Sequence, residues 1–122
     1  MITSLLNAQR AGKKRVAIPY SRFKKALLDM LISKEMISHV RVQEGVQAKL
    51  IVTLAYNEAG EGRIRGVRRL SKPGRRVYVG SNEMPFAYNG IGFVIVSTPQ
   101  GLLDESRARR EKIGGELICA IW

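Results

Sequence analysis

Apolar positions in the first part of the chain recur three and four residues apart in two places, which is the spacing of one face of a helix. This pattern predicts helices over residues 2–10 and 21–35, with Ser21 as the N-cap of the second helix. Between them, the alternation of apolar and polar positions predicts a short strand over 14–18. The apolar face of the longer helix is defined by Phe23, Ala26, Leu27, Met30 and Leu31.

The middle of the chain changes to the period-two alternation of strands. Val40 and Val42 alternate with polar neighbours, and the run 50–56 is apolar enough to be a central strand. Residues 57–62 predict a hairpin loop, and 63–70 predict the strand that returns beside 50–56. The order of elements predicts a helix–strand–helix–hairpin lobe over residues 1–70.

The segment Ser71–Gly74 contains Pro and Gly next to each other and predicts a boundary between two lobes. Beyond it, strands are predicted over 77–79, 93–98 and 116–122. An irregular passage over 84–92 and a charged turn or helix over 104–112 separate them. The second lobe, residues 71–122, is therefore predicted to be β-rich with a short helix. The fold class is α+β, with the first lobe packed on the second.

The basic residues are concentrated in two windows that contain almost no acid. Lys and Arg number 21 against 10 acids, so the net charge is +11. No acid lies before Asp29 or between Glu61 and Glu83. Lysines and arginines often only solvate a surface, but that role does not require the exclusion of acids. A polyanionic partner does favour exclusion, and nucleic acid is the leading candidate. The two windows contain Arg10, Lys13, Lys14, Arg15, Arg22, Lys24 and Lys25, and Arg63, Arg65, Arg68, Arg69, Lys72, Arg75 and Arg76.

The positive charge of the chain also allows interpretations other than nucleic-acid binding. The basic residues between 107 and 112 alternate with acids four residues away, so they are predicted to pair within a helix. A membrane partner would require a basic amphipathic helix or about 20 consecutive apolar residues, and no apolar run approaches that length. The segment 1–15 is basic and free of acids like an organellar presequence, but it also fits an ordinary first helix.

The residue types needed for catalysis are scarce in the sequence. Cys119 is the only cysteine and His39 the only histidine, so the pair cannot supply a zinc site. Ser21 and Lys24 have the spacing of a serine acylase motif, but its companion motifs are missing and Ser21 is better explained as a cap. The sequence therefore predicts no enzyme activity, no cofactor, no metal and no small-molecule substrate.

The most suggestive polar feature is the Ser97-Thr98 pair at the end of the apolar strand 93–98. Hydroxyl groups at such a turn can bind phosphate, ribose or base edges without adding bulk. Irregular, unstacked nucleotides are the usual targets of sequence-specific RNA recognition. The alternative is that the two hydroxyls bond to the local backbone, which is common at turns.

Four segments have a distinctive composition: Pro19–Lys24, Leu70–Tyr78, Gly92–Arg109 and Gly114–Cys119. They resemble, in the same order, motifs of the family of small-subunit ribosomal protein eight. The first is similar to the family's Pro-Ser-Ser-Lys-Leu-Lys segment and the second to its central Ser-Arg/Lys-Pro-Gly-x-Arg-x-Tyr motif. The third resembles the family signature, and the fourth its closing Gly-Gly-Glu-Ile-Ile-Cys strand. The resemblance extends over nearly the whole chain.

The resemblance implies a two-domain α+β protein that binds a stem in the central domain of small-subunit rRNA during assembly. It also implies contacts with neighbouring small-subunit proteins. The residues expected to read an irregular base arrangement are Ser97, Thr98, Gly101, Gly115 and Glu116. The residues expected to hold the flanking RNA backbone are Ser21, Arg22, Lys72, Arg76 and Tyr78. Lys14 and Arg75, from the two basic windows, complete the predicted RNA-binding set.

The chain departs from the family pattern after Thr98, where Pro99 and Gln100 replace a serine and a lysine. Pro99 offers no backbone N–H and Gln100 removes a charge, so contacts at these two positions are expected to differ. The chain also starts inside the family's first helix. The expected location is the ribosome, in a bacterial-type cytoplasm or in an organelle. The alternative function is a translational repressor that binds a messenger RNA mimic of the stem.

Overall fold

A computed structural model describes residues 2–85 and 92–122 of the chain. Its backbone contacts divide the chain into two compact units, Met1–Arg65 and Gly66–Trp122. Residues 86–91, which form most of the predicted irregular passage, lie outside the described residues. The α+β fold class is confirmed, because helices and antiparallel sheets both contribute to the structure.

The first unit is a three-stranded antiparallel sheet with two helices. Its elements are α1 (Ile2–Arg10), β1 (Arg15–Pro19), α2 (Arg22–Ser33), β2 (Ile37–Gln43) and β3 (Lys49–Leu54). β3 lies between β1 and β2. Along β3, Leu50, Val52 and Leu54 are buried and the residues between them are more exposed. The helices bury Leu5, Leu28 and Leu31 completely, so their apolar stripes and one face of the sheet form the core.

The second unit is built around a five-stranded sheet. Its elements are β4 (Val67–Arg69), β5 (Tyr78–Val79), a 3-10 turn (Ser81–Glu83), β6 (Phe93–Thr98), β7 (Gly101–Asp104), α3 (Glu105–Arg110) and β8 (Gly115–Ile121). The strand order is β4-β8-β6-β7, and β5 also pairs with β8. α3 contacts β6 and β7. The core cluster consists of Met84, Val94, Val96, Leu103, Ala108, Leu117 and Ala120.

The predicted return strand over 63–70 begins beside the end of β3, where the Arg63 N–H donates to the Ala55 carbonyl at 3.1 Å, but its further course is wrong in its partner. Only Val67–Arg69 is a strand, and it pairs with β8 instead of β3. At Ile64, the side-chain amide of Gln9 in α1 makes the backbone hydrogen bonds that a neighbouring strand would otherwise make. Its Nε2 donates to the Ile64 carbonyl at 2.8 Å, and its Oε1 accepts from the Ile64 N–H at 3.1 Å. The backbone at Ile64 is therefore satisfied by a side chain far away in sequence, and local alternation cannot predict that.

The local contacts in the charged segment after β7 agree with the helix and the ion pairing predicted from its sequence. α3 begins at the Asp104 cap, whose carboxylate accepts from the Arg107 N–H at 2.7 Å. The predicted pair of Arg107 and Glu111 is present at 3.5 Å. Glu105 is different, because it is only 4% exposed and accepts the Val94 N–H at 3.1 Å. This buried carboxylate ties α3 to β6, a tertiary role that charge spacing does not reveal.

Candidate nucleic-acid interface

The pairing of three strands places Ser97, Glu116 and Tyr78 in one row across the second unit. Ser97 on β6 is directly opposite Glu116 on β8, which is directly opposite Tyr78 on β5. Directly opposite residues of an antiparallel pair project from the same face of the sheet. Tyr78 is 69% exposed, and the other two are half-buried. We call these three residues the reading row.

The carboxylate of the reading row is neutralised by a nearby cation. Arg76 Nη1 donates to Glu116 Oε2 at 3.2 Å, with the Arg76 side chain 52% exposed and the Glu116 side chain 16% exposed. A pair of this exposure is weak, typically about 0–1 kcal/mol. The guanidinium therefore remains available to an incoming phosphate. The carboxylate is an acceptor for base N–H donors, such as the exocyclic amino groups.

The β6–β7 hairpin uses one of its two predicted hydroxyls internally. Thr98 Oγ1 donates to the Gly101 carbonyl at 2.7 Å and accepts from the Gln100 N–H at 3.1 Å. Gly101 has φ of 108°, which favours glycine at that turn position. Thr98 therefore braces the loop, as the local-bonding interpretation expects. Among the described residues, Ser97 has no side-chain hydrogen bond, so its hydroxyl is free to bind a ligand.

Gly115 permits the close approach of β8 to β6. A Cβ built at Gly115 lies 2.2 Å from the Ser97 carbonyl oxygen, a distance that real Cβ atoms do not adopt. Glycine is therefore required where β8 enters the sheet, one residue before Glu116. Gly115 shapes the site through its backbone, and it offers no side chain to a ligand. Gly101, in contrast, has open space beside it.

The predicted basic residues after β4 lie on a closed turn. The backbones of Lys72 and Arg75 exchange two hydrogen bonds of 2.9 Å, and both side chains are exposed. The turn is anchored by Ser71, which is 4% exposed and accepts the Val77 N–H at 2.9 Å. In the sequence, Ser71 belongs to the Pro-Gly breaker and to the segment that resembles the family's central motif. Its buried hydroxyl orders the turn that presents Lys72, Arg75 and Arg76 to solvent.

In the first unit, Ser21 and Arg22 lie at the start of α2, whereas Lys14 lies before β1, at the opposite end of that strand. Ser21 is the N-cap, and its hydroxyl accepts the Lys24 N–H at 3.0 Å. Arg22 and Lys14 are exposed. The ion pair of Lys25 with Asp29, at 2.8 Å, reduces the positive charge one turn further along.

Two aromatic side chains beside Ser21 were missed as candidate ligand contacts. Tyr20 is 42% exposed and Phe23 is 48% exposed. The periodicity assigned Phe23 to the buried face of α2, but the buried positions are Leu27, Leu28 and Leu31. Aromatic residues interleaved with basic ones are typical of nucleic-acid surfaces, because bases stack on exposed rings. The run from Tyr20 to Lys25 carries that signal in the sequence.

Features of other site classes are not found in the described part of the chain. Over residues 2–85 and 92–122, no group of three or more His, Cys, Asp or Glu side chains could hold a metal ion. Within the same ranges, none of the helices has the length and apolar composition needed to cross a membrane. His39 lies exposed on β2.

The chain is similar to known proteins over its whole length. The model of the family described as ribosomal protein S8 matches residues 1–122. A protein of Sorangium cellulosum named small ribosomal subunit protein uS8 is 44% identical, over 100% of this chain and 94% of its own length. Proteins of the same name from Nitratidesulfovibrio vulgaris and Finegoldia magna are 43% and 42% identical, each over 100% of this chain and 94% of their own length.

The close approach at Gly115 can be tested by adding one methyl group. We expect Gly115→Ala to lower the free energy of unfolding by about 1–3 kcal/mol, because β8 must move away from the Ser97 carbonyl. Gly74→Ala is the matched control, since a Cβ there meets nothing within 4 Å. Chemical denaturation measures both. Equal stability of the two variants would show that the approach at Gly115 imposes no constraint.

Proposed function

The chain belongs to the ribosomal protein S8 family, and we propose that it clamps a stem in the central domain of small-subunit rRNA and supports subunit assembly. As a member of this family, the chain is a structural, non-enzymatic constituent of the small ribosomal subunit, and it is located in the ribosome. Its partners there are rRNA and other ribosomal proteins. The stem, its position in the central domain and the assembly role are the proposed refinements.

The observation that supports this proposal best is the reading row with its adjacent arginine. Tyr78 offers an exposed ring for stacking, Glu116 offers acceptors, and Ser97 offers a hydroxyl that can donate or accept. Distorted stems expose base edges and unstacked faces that regular duplexes hide. A row that combines stacking, acceptor and hydroxyl groups is suited to such a stem.

Affinity and selectivity are assigned to different residues in this proposal. Lys72, Arg75 and Arg76 on the closed turn neutralise phosphates, which gives affinity that depends on salt. The reading row contacts bases and gives selectivity. Thr98 contributes indirectly, because its two hydrogen bonds hold the hairpin next to Ser97. Ser21, Arg22 and Lys14 are proposed to contact RNA backbone from the first unit.

The division between Ser97 and Thr98 leads to a specific prediction. We expect Ser97→Ala to weaken binding to the isolated central-domain stem by about 0.5–1.5 kcal/mol, the net value of one hydrogen bond, and to leave binding to an unrelated duplex unchanged. Thr98→Ala should weaken stem binding through the loop, and Thr98→Ser should restore it because the hydroxyl is kept. Titrations with both RNAs measure the effects. Equal losses on both RNAs would contradict a reading role for Ser97.

The contact between Arg76 and Glu116 predicts that the two neighbouring arginines are not equivalent. Arg75→Gln should reduce the salt slope by roughly one unit on both RNAs, as expected for one lost phosphate contact. Arg76→Gln should weaken both complexes more, because it also leaves the Glu116 carboxylate without its cation. Glu116→Gln in the Arg76→Gln background should then recover part of the affinity for unrelated duplex. Identical effects of Arg75→Gln and Arg76→Gln would contradict this arrangement.

A further inference from the structure

The first unit has a sheet face that the predicted site does not use. β3 pairs with β1 on one side and with β2 on the other, so directly opposite residues form rows across three strands. Because Leu50, Val52 and Leu54 are in the core, the alternate residues of β3 project from the other face. The rows on that face are Arg15–Thr53–His39, Ala17–Ile51–Arg41 and Pro19–Lys49–Gln43. We call these nine residues the open face.

The open face is cationic and contains no acid. Arg15, Arg41 and Lys49 are exposed, and Ile51 and Thr53 at the centre are half-buried. The nearest acid in sequence is Glu44, which follows β2 just beyond the face. α2 contacts β2, and its buried leucines belong to the core on the opposite side of the sheet. In the described structure, nothing covers the open face, since seven of its nine residues are exposed.

The cations of the open face also lack carboxylate partners. Among the described residues, Arg15, Arg41 and Lys49 take part in no ion pair. Elsewhere, Lys25 and Arg107 are each paired with an acid four residues further along the chain. Unpaired charges on a rigid sheet repel one another, so an anionic ligand would relieve an existing cost.

The ligand can be chosen by hydrogen-bond and charge complementarity. The charged side chains of the open face are donors only, which suits a ligand rich in acceptors such as a phosphate backbone. A second copy of this chain carries +11 and would be repelled. Arg15 and Arg41 lie in neighbouring rows on the two edge strands, which are about 10 Å apart, so one RNA backbone segment can contact both.

We propose that the open face is a second RNA-binding surface, which contacts the phosphate backbone of small-subunit rRNA independently of the reading row. This inference rests on the proposed function, because it takes rRNA as the polyanion. The face has no exposed aromatic ring for base stacking, so its contribution is affinity that is sensitive to salt and tolerant of sequence.

The first test removes two positive charges from the open face. Its effect on RNA binding is compared with the effect of removing two positive charges elsewhere on the chain. We expect Arg15→Gln with Arg41→Gln to reduce the salt slope for transcribed small-subunit rRNA by about two units. The control is Lys34→Gln with Arg110→Gln, at two exposed cations on or next to helices. Lys49→Gln, at the end of β3, is a single variant expected to reduce the slope by about one. Thermal unfolding checks that each variant is folded.

The results separate this inference from the proposed function. If the open-face variant and the control have the same affinity and salt slope, the open face is not an RNA surface. Ser97→Ala in the same titration reports on the reading row, so its effect can persist when the open-face variant has none. If the unchanged chain does not prefer small-subunit rRNA over unrelated RNA, the proposed function itself fails.

A second test locates the partner directly. Ala17→Cys places a thiol in the middle row of the open face, and Ala59→Cys places one in the exposed loop beside Glu58 as a control. Cys119 will not compete for a thiol-specific photo-crosslinker, because it is 6% exposed and burial raises the pKa of its thiol to about 11. In a mixture of rRNA and small-subunit proteins, we expect crosslinks from position 17 to RNA. Crosslinks from position 17 to protein alone, or equal RNA crosslinks from position 59, would overturn the proposal.

Discussion

The geometry of the second unit depends on the approach of β8 to β6 at Gly115. The backbone of Gly115 lies so close to the Ser97 carbonyl that no side chain fits between them. This approach sets Glu116 opposite Ser97, and the pairing of β5 with β8 adds Tyr78 to the same row. One constraint on strand packing therefore brings together residues that are about 20 and 40 positions apart in sequence. Side chains from three strands become one surface.

Three residues shape the candidate site through the backbone that they hold or permit. Gly115 contributes space, Ser71 orders the basic turn from a buried position, and Thr98 closes the hairpin. The resemblance implied a direct RNA contact for Gly115 and Thr98 and none for Ser71. Because these three residues hold the backbone, their substitution should move Ser97, Arg75 and Arg76. The effect would therefore exceed the loss of the substituted group itself.

Local patterns in the sequence were sufficient to predict where the helices and most strands lie. Ser21 caps α2 as predicted, and the Arg107–Glu111 pair follows from a spacing of four. The errors arose where tertiary contacts decide the structure. Gln9 binds the backbone of Ile64, which turns the chain away from β3 before Val67 joins β8. Phe23 was assigned to the core, although the first turn of α2 leaves it half exposed.

The resemblance supplies candidate residues for the site, but it does not supply their arrangement. The resemblance implied base reading for Ser97 and Glu116 and a backbone contact for Tyr78, whereas the row that the three residues form depends on strand register. That register includes an irregularity between Ile95 and Val96, where β8 gains one residue relative to β6. Without it, Ser97 would be opposite a different residue and would not share a row with Glu116. The open face likewise needs the register of three strands, since Arg15, Arg41 and Lys49 come from separate parts of the chain.

The most direct measurement of the central claim is an NMR titration of the isotope-labelled chain with the isolated central-domain stem. The account predicts that the largest amide shift changes occur at Tyr78, Ser97 and Glu116, with smaller ones at the turn containing Arg75. α3 should change little, because none of its residues belongs to the reading row or to the turn that carries Lys72 and Arg75. Changes concentrated on α3, with the reading row unaffected, would contradict the proposal that the row binds the stem.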